Sequence, residues 1–279
     1  MCYSSIKYSW KVNDYLNQKE NKGTKIIMKY YEDFLRLEVF NFEEANNIVG
    51  KKENTKVLLS AYVKKGLIKR VHRNLYSVVR LENKGATADR YLIGSKTNKN
   101  SFLAYHSAFE LHGLSHQVNY IVYVASERKI SDFEFEGVLY KYVGTKSREG
   151  VIRHRMNEKI RFTELERTVV DSIDRLEYCG GPYELDEILK ICPVVDEGKI
   201  MKYAQEYNKK ILYKKLGFFL ERNSEALGIS NQFLNILERS IGASKKYLSE
   251  EVINGDGTLV TRWDLIVPKT FIGKGDLFV

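Results

Sequence analysis

The sequence predicts an α+β protein: an N-terminal winged helix-turn-helix followed by a larger mixed domain with a small, mainly antiparallel sheet. Three observations carry this. Over residues 25–84, three short helix-like segments precede a basic two-stranded hairpin. Strand-like runs then gather at 120–125, 137–143 and 151–155, and helical periods dominate from 163 onward. Strands grouped ahead of helices, rather than alternating with them, describe α+β rather than α/β.

Residues 1–24 are polar with no strong period and read as an N-terminal extension. From Thr24 a helix is expected, because Ile27, Tyr30, Tyr31, Phe34 and Leu35 fall on one face at helical spacing. In the following NFEEANNIVG, Asn41 is placed to cap a second helix, Glu44 to reach back to it, and Gly50 to stop it. Asn54 is expected to cap a third helix that runs to Lys65 and closes at Gly66. Segments 67–71 and 75–79 then read as strands around an Arg73-Asn74 turn, since Asn tolerates positive φ.

Helix, helix, helix, hairpin is the order of a winged head whose third helix enters the major groove while the wing lies along the backbone. Leu59, Tyr62 and Val63, with Leu58 beside them, are expected to pack inward. Lys56, Ser60 and Lys64 recur every fourth residue on the opposite stripe. Long cations reach phosphates or guanine edges, and the hydroxyls of Ser60 and Thr55 can meet either. Lys51, Lys52 and Asn54 before this stripe and Lys65 after it extend the expected DNA contact. Lys69, Arg70, Arg73 and Asn74 place the wing against phosphates.

Charge supports that placement. The 279-residue chain carries a formal +9, unevenly spread. Over 50–80 nine basic residues stand against one acid, over 141–161 seven against two, and the remainder is slightly acidic. Regional basicity marks a localised polyanion site better than a uniformly cationic surface does. In the second stretch Lys141, Lys146, Arg148, Arg153, Arg155 and Lys159 form a candidate second basic surface.

A helix is expected over 101–111, and further helices at 163–175, 184–191, 197–208, 210–221 and about 231–239, with a late strand at 258–268. His106 and His112 lie six apart without an HExxH spacing, and Cys2, Cys179 and Cys192 form no CxxC pair, so no metal grammar is present. No Walker-type loop or GxSxG elbow occurs, and no cofactor is expected. Few, unpaired cysteines fit a reducing compartment, and no apolar run approaches the roughly 20 residues of a membrane helix. A cytoplasmic protein is expected. Along ELERTVVDSIDRLEYCGG, Arg167, Asp171 and Arg175 alternate sign on one face and predict a salt-bridge ladder. Asp171 and Asp174 sit one turn apart, but no catalytic partner is visible beside them, and no catalytic residues are assigned.

The winged head ending in KKGLIKRVHRNLYSV, the AYHSAFELHGLSHQ segment, the ERTVVDSIDRLEYCGG run and TRWDLIVP occur in the order found in AbiEi-family antitoxins. The resemblance covers about residues 28–270. It implies the antitoxin of a type IV toxin–antitoxin pair serving phage defence by abortive infection. The winged head would bind operator inverted repeats and repress its own operon, using Lys56, Ser60, Lys64, Lys69, Arg70 and Arg73. Residues 85–279 would counter an AbiEii-like nucleotidyltransferase toxin, usually without a stable complex. The resemblance implies a protein that is not an enzyme. Two other readings of the residues stay open: a ligand-sensing regulator without a toxin, and a DNA-directed nucleotide-processing enzyme.

Overall fold

The computed structural model describes residues 29–81, 86–115, 119–253 and 255–272. The extension expected over 1–24, and the start of the first helix, lie outside the described residues. The chain divides into two units, Met1–Asp89 and Arg90–Val279.

In the first unit, α1 (Tyr31–Leu37) carries Glu32 and Asp33 in its first turn and Arg36 in its last, which complements the helix dipole. A three-residue strand, β1 (Val39–Asn41), follows without a prediction behind it. α2 (Phe42–Val49) starts in a full capping box: Asn41 accepts from the Glu44 N–H, and the Glu44 carboxylate accepts from the Asn41 N–H, both at 2.9 Å. Gly50 ends it at φ +92, a left-handed cap that glycine adopts without a Cβ clash. α3 (Lys52–Lys64) starts three residues earlier than expected, and no side chain caps it, so Asn54 lies inside the helix rather than at its cap.

β2 (Ile68–His72) and β3 (Leu75–Val78) form the hairpin, and β1 pairs antiparallel with β3 to complete the sheet β1-β3-β2. Val71 bulges out of register between Arg70 and His72 and buries its side chain. Phe34 stacks on Phe40 at 4.6 Å and meets Tyr62 edge-on at 5.9 Å, making an aromatic core between helices and sheet. The Tyr31 hydroxyl donates to the Val79 carbonyl at 2.5 Å and ties α1 to the end of the hairpin.

The second unit begins with α4 (Arg90–Lys96), β4 (Phe102–Leu103), α5 (His106–Leu111) and β5 (Ile121–Ser126). The helix expected over 101–111 is therefore a short strand followed by a helix, because Phe102 and Leu103 pair with Val124 and Ala125. β6 (Phe133–Phe135), β7 (Val138–Gly144), β8 (Val151–Arg153) and β9 (Arg161–Thr163) complete a six-stranded sheet, β6-β7-β5-β4-β9-β8. Three of its pairings are antiparallel; β5–β7 and β4–β9 are parallel. Gly94 lets α4 lie on this sheet, since a Cβ there would stand 2.7 Å from the Leu103 side chain.

Helices then follow: α6 (Leu165–Asp174), α7 (Pro182–Lys190), α8 (Glu197–Tyr207), α9 (Lys210–Arg222), α10 (Ser224–Leu227) and α11 (Asn231–Ser240). β10 (Lys246–Tyr247), α12 (Glu250–Ile253), β11 (Gly257–Val260) and β12 (Leu265–Pro268) close the described chain. The single late strand expected over 258–268 is a hairpin, broken by a 3-10 turn and by Asp264 at φ +46. α6 is the buried centre of the helical layer: every residue from Arg167 to Ile173 is buried. Among the described residues no helix is long and apolar enough to cross a membrane.

Candidate functional site

Helix α3 presents the expected stripe. Lys56, Ser60 and Lys64 are all exposed, as are Lys51, Lys52, Asn54 and Lys65 around them. Leu59 and Tyr62 face the core, whereas Val63 is 40% exposed and is not a core residue. Sequence reasoning missed Val57, which is 70% exposed one residue from Lys56. Val57 therefore lies exposed beside the stripe.

One expected DNA contact, Thr55, is corrected, and Asn74 has a structural bond as well as its exposed position. Thr55 is fully buried; its hydroxyl hydrogen-bonds to the Asn46 Oδ1 at 3.1 Å and the Lys51 carbonyl at 2.9 Å. It holds α3 against α2 and is not available to a ligand. Asn74 does occupy the positive-φ turn position, at +63, but its Oδ1 accepts from the Phe42 N–H at 3.1 Å. Its side chain anchors the hairpin tip to the start of α2. Lys69, Arg70 and Arg73 are exposed on the hairpin. His72 between them is held below the ordinary histidine range by burial and by the Arg70 charge.

The second basic stretch splits in two. Arg148, Arg153, Arg155 and Lys159 are exposed on or beside the β8–β9 edge, where Arg153 lies directly across from Arg161. Lys141 instead places its ammonium 5.6 Å from the Tyr178 ring, and Lys146 lines a cleft of about 460 Å³.

That cleft lies within the second unit, between β7 and the loop after it on one side and α6 and α8 on the other. Asp171 and Asp174 reach it from α6. Contrary to the expected ladder, Arg175 turns away from Asp171 and donates to Glu177 at 2.9 Å. Arg167 donates from Nε to Asp171 Oδ1 at 2.7 Å, and the Tyr207 hydroxyl donates to the same oxygen at 2.6 Å. Burial pushes the Asp171 carboxyl up, against the pull of Arg167 and Tyr207. Lys209 donates to Asp174 Oδ2 at 2.6 Å. Tyr207, Lys209, Tyr105 and Tyr178 at this cleft carry no sequence signal, because they come from segments far apart in the chain.

No family model matches the chain, and no curated protein matches it. Among solved structures, it is similar to the RV2827C protein from Mycobacterium tuberculosis, with a TM-score of 0.60. The likeness covers 88% of this chain and 90% of that one, at 11% identity. What the two share is the fold.

The histidines are bonded into the scaffold. His112 Nε2 lies 2.9 Å from the Thr163 carbonyl, and His106 Nε2 lies 3.0 Å from the Glu184 carboxylate. Cys179 is buried, which pushes its thiol up to about 12, and so is Cys192. Among the described residues no cluster of His, Cys, Asp and Glu could hold a metal ion. The ERTVVD run is a brace: Glu164 accepts from Tyr203 at 2.5 Å, Arg167 donates to the Glu149 carbonyl at 3.0 Å, and the Thr168 hydroxyl bonds back to the Glu164 carbonyl at 2.8 Å.

Proposed function

We propose that the protein binds operator DNA through its N-terminal head, represses its own operon, and acts in the cytoplasm as the antitoxin of a type IV toxin–antitoxin pair. The observation that carries the DNA reading is the exposed stripe Lys56, Ser60 and Lys64 on α3, in the same unit as the exposed hairpin cations Lys69, Arg70 and Arg73. Cations on the two elements that a winged head lays against DNA are those that displace counterions from phosphate. The antitoxin half of the reading is supported by the resemblance of the ERTVVDSIDRLEYCGG run and its neighbours to AbiEi-family antitoxins. In that reading the second unit counters a nucleotidyltransferase-like toxin without forming a stable complex with it.

The deciding experiment is fluorescence anisotropy of the full chain on DNA from upstream of its own gene, across a salt series. Affinity should fall steeply with salt, and the Lys56→Ala, Ser60→Ala and Lys64→Ala variants should lose preference for the operator. Binding indifferent to salt, or unchanged in these variants, refutes the DNA reading. Co-expression with the neighbouring gene tests the antitoxin half: growth arrest by that gene alone, relieved by this protein, is expected. The cleft favours a second reading, a regulator that senses a small ligand, in which no neighbouring toxin gene exists.

A further inference from the structure

The cleft in the second unit holds an arrangement that its own fold leaves incomplete. Tyr105 lines it at 6% exposure, and its hydroxyl makes no hydrogen bond among the described residues. Burial holds that hydroxyl protonated, and the nearby charges of Asp171 and Asp174 act in the same direction. That hydroxyl is not enclosed by the fold and stands open to whatever enters the cleft. The residue is also set at φ +56 and ψ −136, a backbone conformation that side chains other than glycine rarely adopt. Such a conformation is held in place by the surrounding structure and recurs at ligand sites.

What the cleft offers is specific. Asp171 spends Oδ1 on Arg167 and Tyr207, and Asp174 spends Oδ2 on Lys209. The second oxygen of each carboxylate remains as an acceptor. Tyr105 and Tyr178 meet edge to face at 4.9 Å, so the wall beside these acceptors is aromatic. At the exposed loop after β7, Lys146 lines the same cleft with no ion pair of its own among the described residues. Acceptors, aromatic faces and an unpaired cation lining one cleft suit a flat ring bearing N–H donors and joined to an anion. The cavity, about 460 Å³, falls within the roughly 300–1,000 Å³ of small-molecule sites.

We propose that this cleft is a binding site for a mononucleotide, with the base against Tyr105 and Tyr178, its N–H groups on Asp171 and Asp174, and the phosphate at Lys146. This inference does not rest on the DNA-binding or antitoxin reading.

The test is calorimetric titration of the full chain with the four ribonucleoside 5′-monophosphates and their nucleosides. At least one nucleotide should bind saturably and more tightly than its nucleoside. Tyr105→Phe should weaken that binding about tenfold, the worth of one hydrogen bond to the ligand, without lowering the melting temperature. Lys146→Ala should bring the nucleotide down to the affinity of its nucleoside. The paired variant Lys69→Ala with Arg73→Ala should bind nucleotide as the wild type does, even as DNA affinity falls. The proposal is overturned if no monophosphate saturates at millimolar concentration or if nucleotide and nucleoside bind alike. It is equally overturned if both cleft variants bind as wild type, if the hairpin variant loses the nucleotide, or if spermidine occupies the cleft in its place.

Discussion

The Arg167 guanidinium donates to Asp171 at 2.7 Å one helical turn away, and the two residues are 4% and 2% exposed. A buried pair is weak evidence of net stabilisation, because desolvation of both charges offsets their attraction. Removing one partner is another matter, since the other charge stays buried. Asp171→Leu should therefore destabilise the second unit by about 3–5 kcal/mol. Adding Arg167→Met to it should cost less than the two single changes summed, as coupled neighbours do. Urea denaturation of the three variants checks this. Additive losses would show that the pair does not act as a unit.

Trp263 is fully buried, with its ring over Gly217 on α9, and its indole N–H donates to Glu221 at 2.6 Å. A Cβ on residue 217 would stand 2.1 Å from the indole carbons. Glycine is required here by close approach rather than by backbone conformation. Gly217→Ala should cost at least about 1–3 kcal/mol through overpacking and should alter the near-ultraviolet dichroism of the indole. An unchanged spectrum with unchanged stability would contradict the packing.

On the proposed DNA face, exposed and buried residues should separate cleanly. Arg73→Ala should weaken binding about evenly across sequences and lower the salt slope by about one counterion. Val57→Ser should lose preference for a thymine in the site by about 1 kcal/mol, the worth of one methyl contact. Thr55→Val should leave the salt slope untouched and instead lower stability by about 1 kcal/mol, because its hydroxyl bonds Asn46 and Lys51. Affinity measured against salt, alongside thermal melting, distinguishes the three. A Thr55→Val protein with wild-type stability and a smaller salt slope would return Thr55 to the interface.

What could be read from the chain depended on whether the deciding contact was local. The Asn41–Glu44 capping box and the Gly50 stop are fixed within ten residues, and both stand as the sequence implies. The long helices α8, α9 and α11 likewise announce themselves by a 3.6-residue period. β1 and β4 do not, because strands of three and two residues have no period and exist only through pairing with β3 and with β5 and β9. Thr55 looks like any hydroxyl on a basic helix until Asn46 is placed beside it. The cleft is less legible still. Asp171 and Asp174 were visible as a pair, but Tyr105, Tyr207 and Lys209 reach them only through the tertiary fold.

His112 makes the stability of the second unit depend on pH. Its ring meets Phe162 at 5.0 Å, and burial draws its pKa below 6.5, against the opposing pull of the Thr163 carbonyl, Glu166 and Glu164. In the unfolded chain the ring titrates near 6.5. As pH falls, the unfolded state therefore takes up its proton first, and the linkage works against folding. The contribution of the neutral ring is fully present above about 6.5 and is lost as pH drops toward the lower folded value. His112→Gln keeps a donor for the Thr163 carbonyl but cannot titrate. Melting temperatures taken from pH 8 to pH 5 should fall more steeply for the wild type than for this variant. Parallel curves would mean that the folded and unfolded rings bind protons alike, and the burial of His112 would then have no electrostatic consequence.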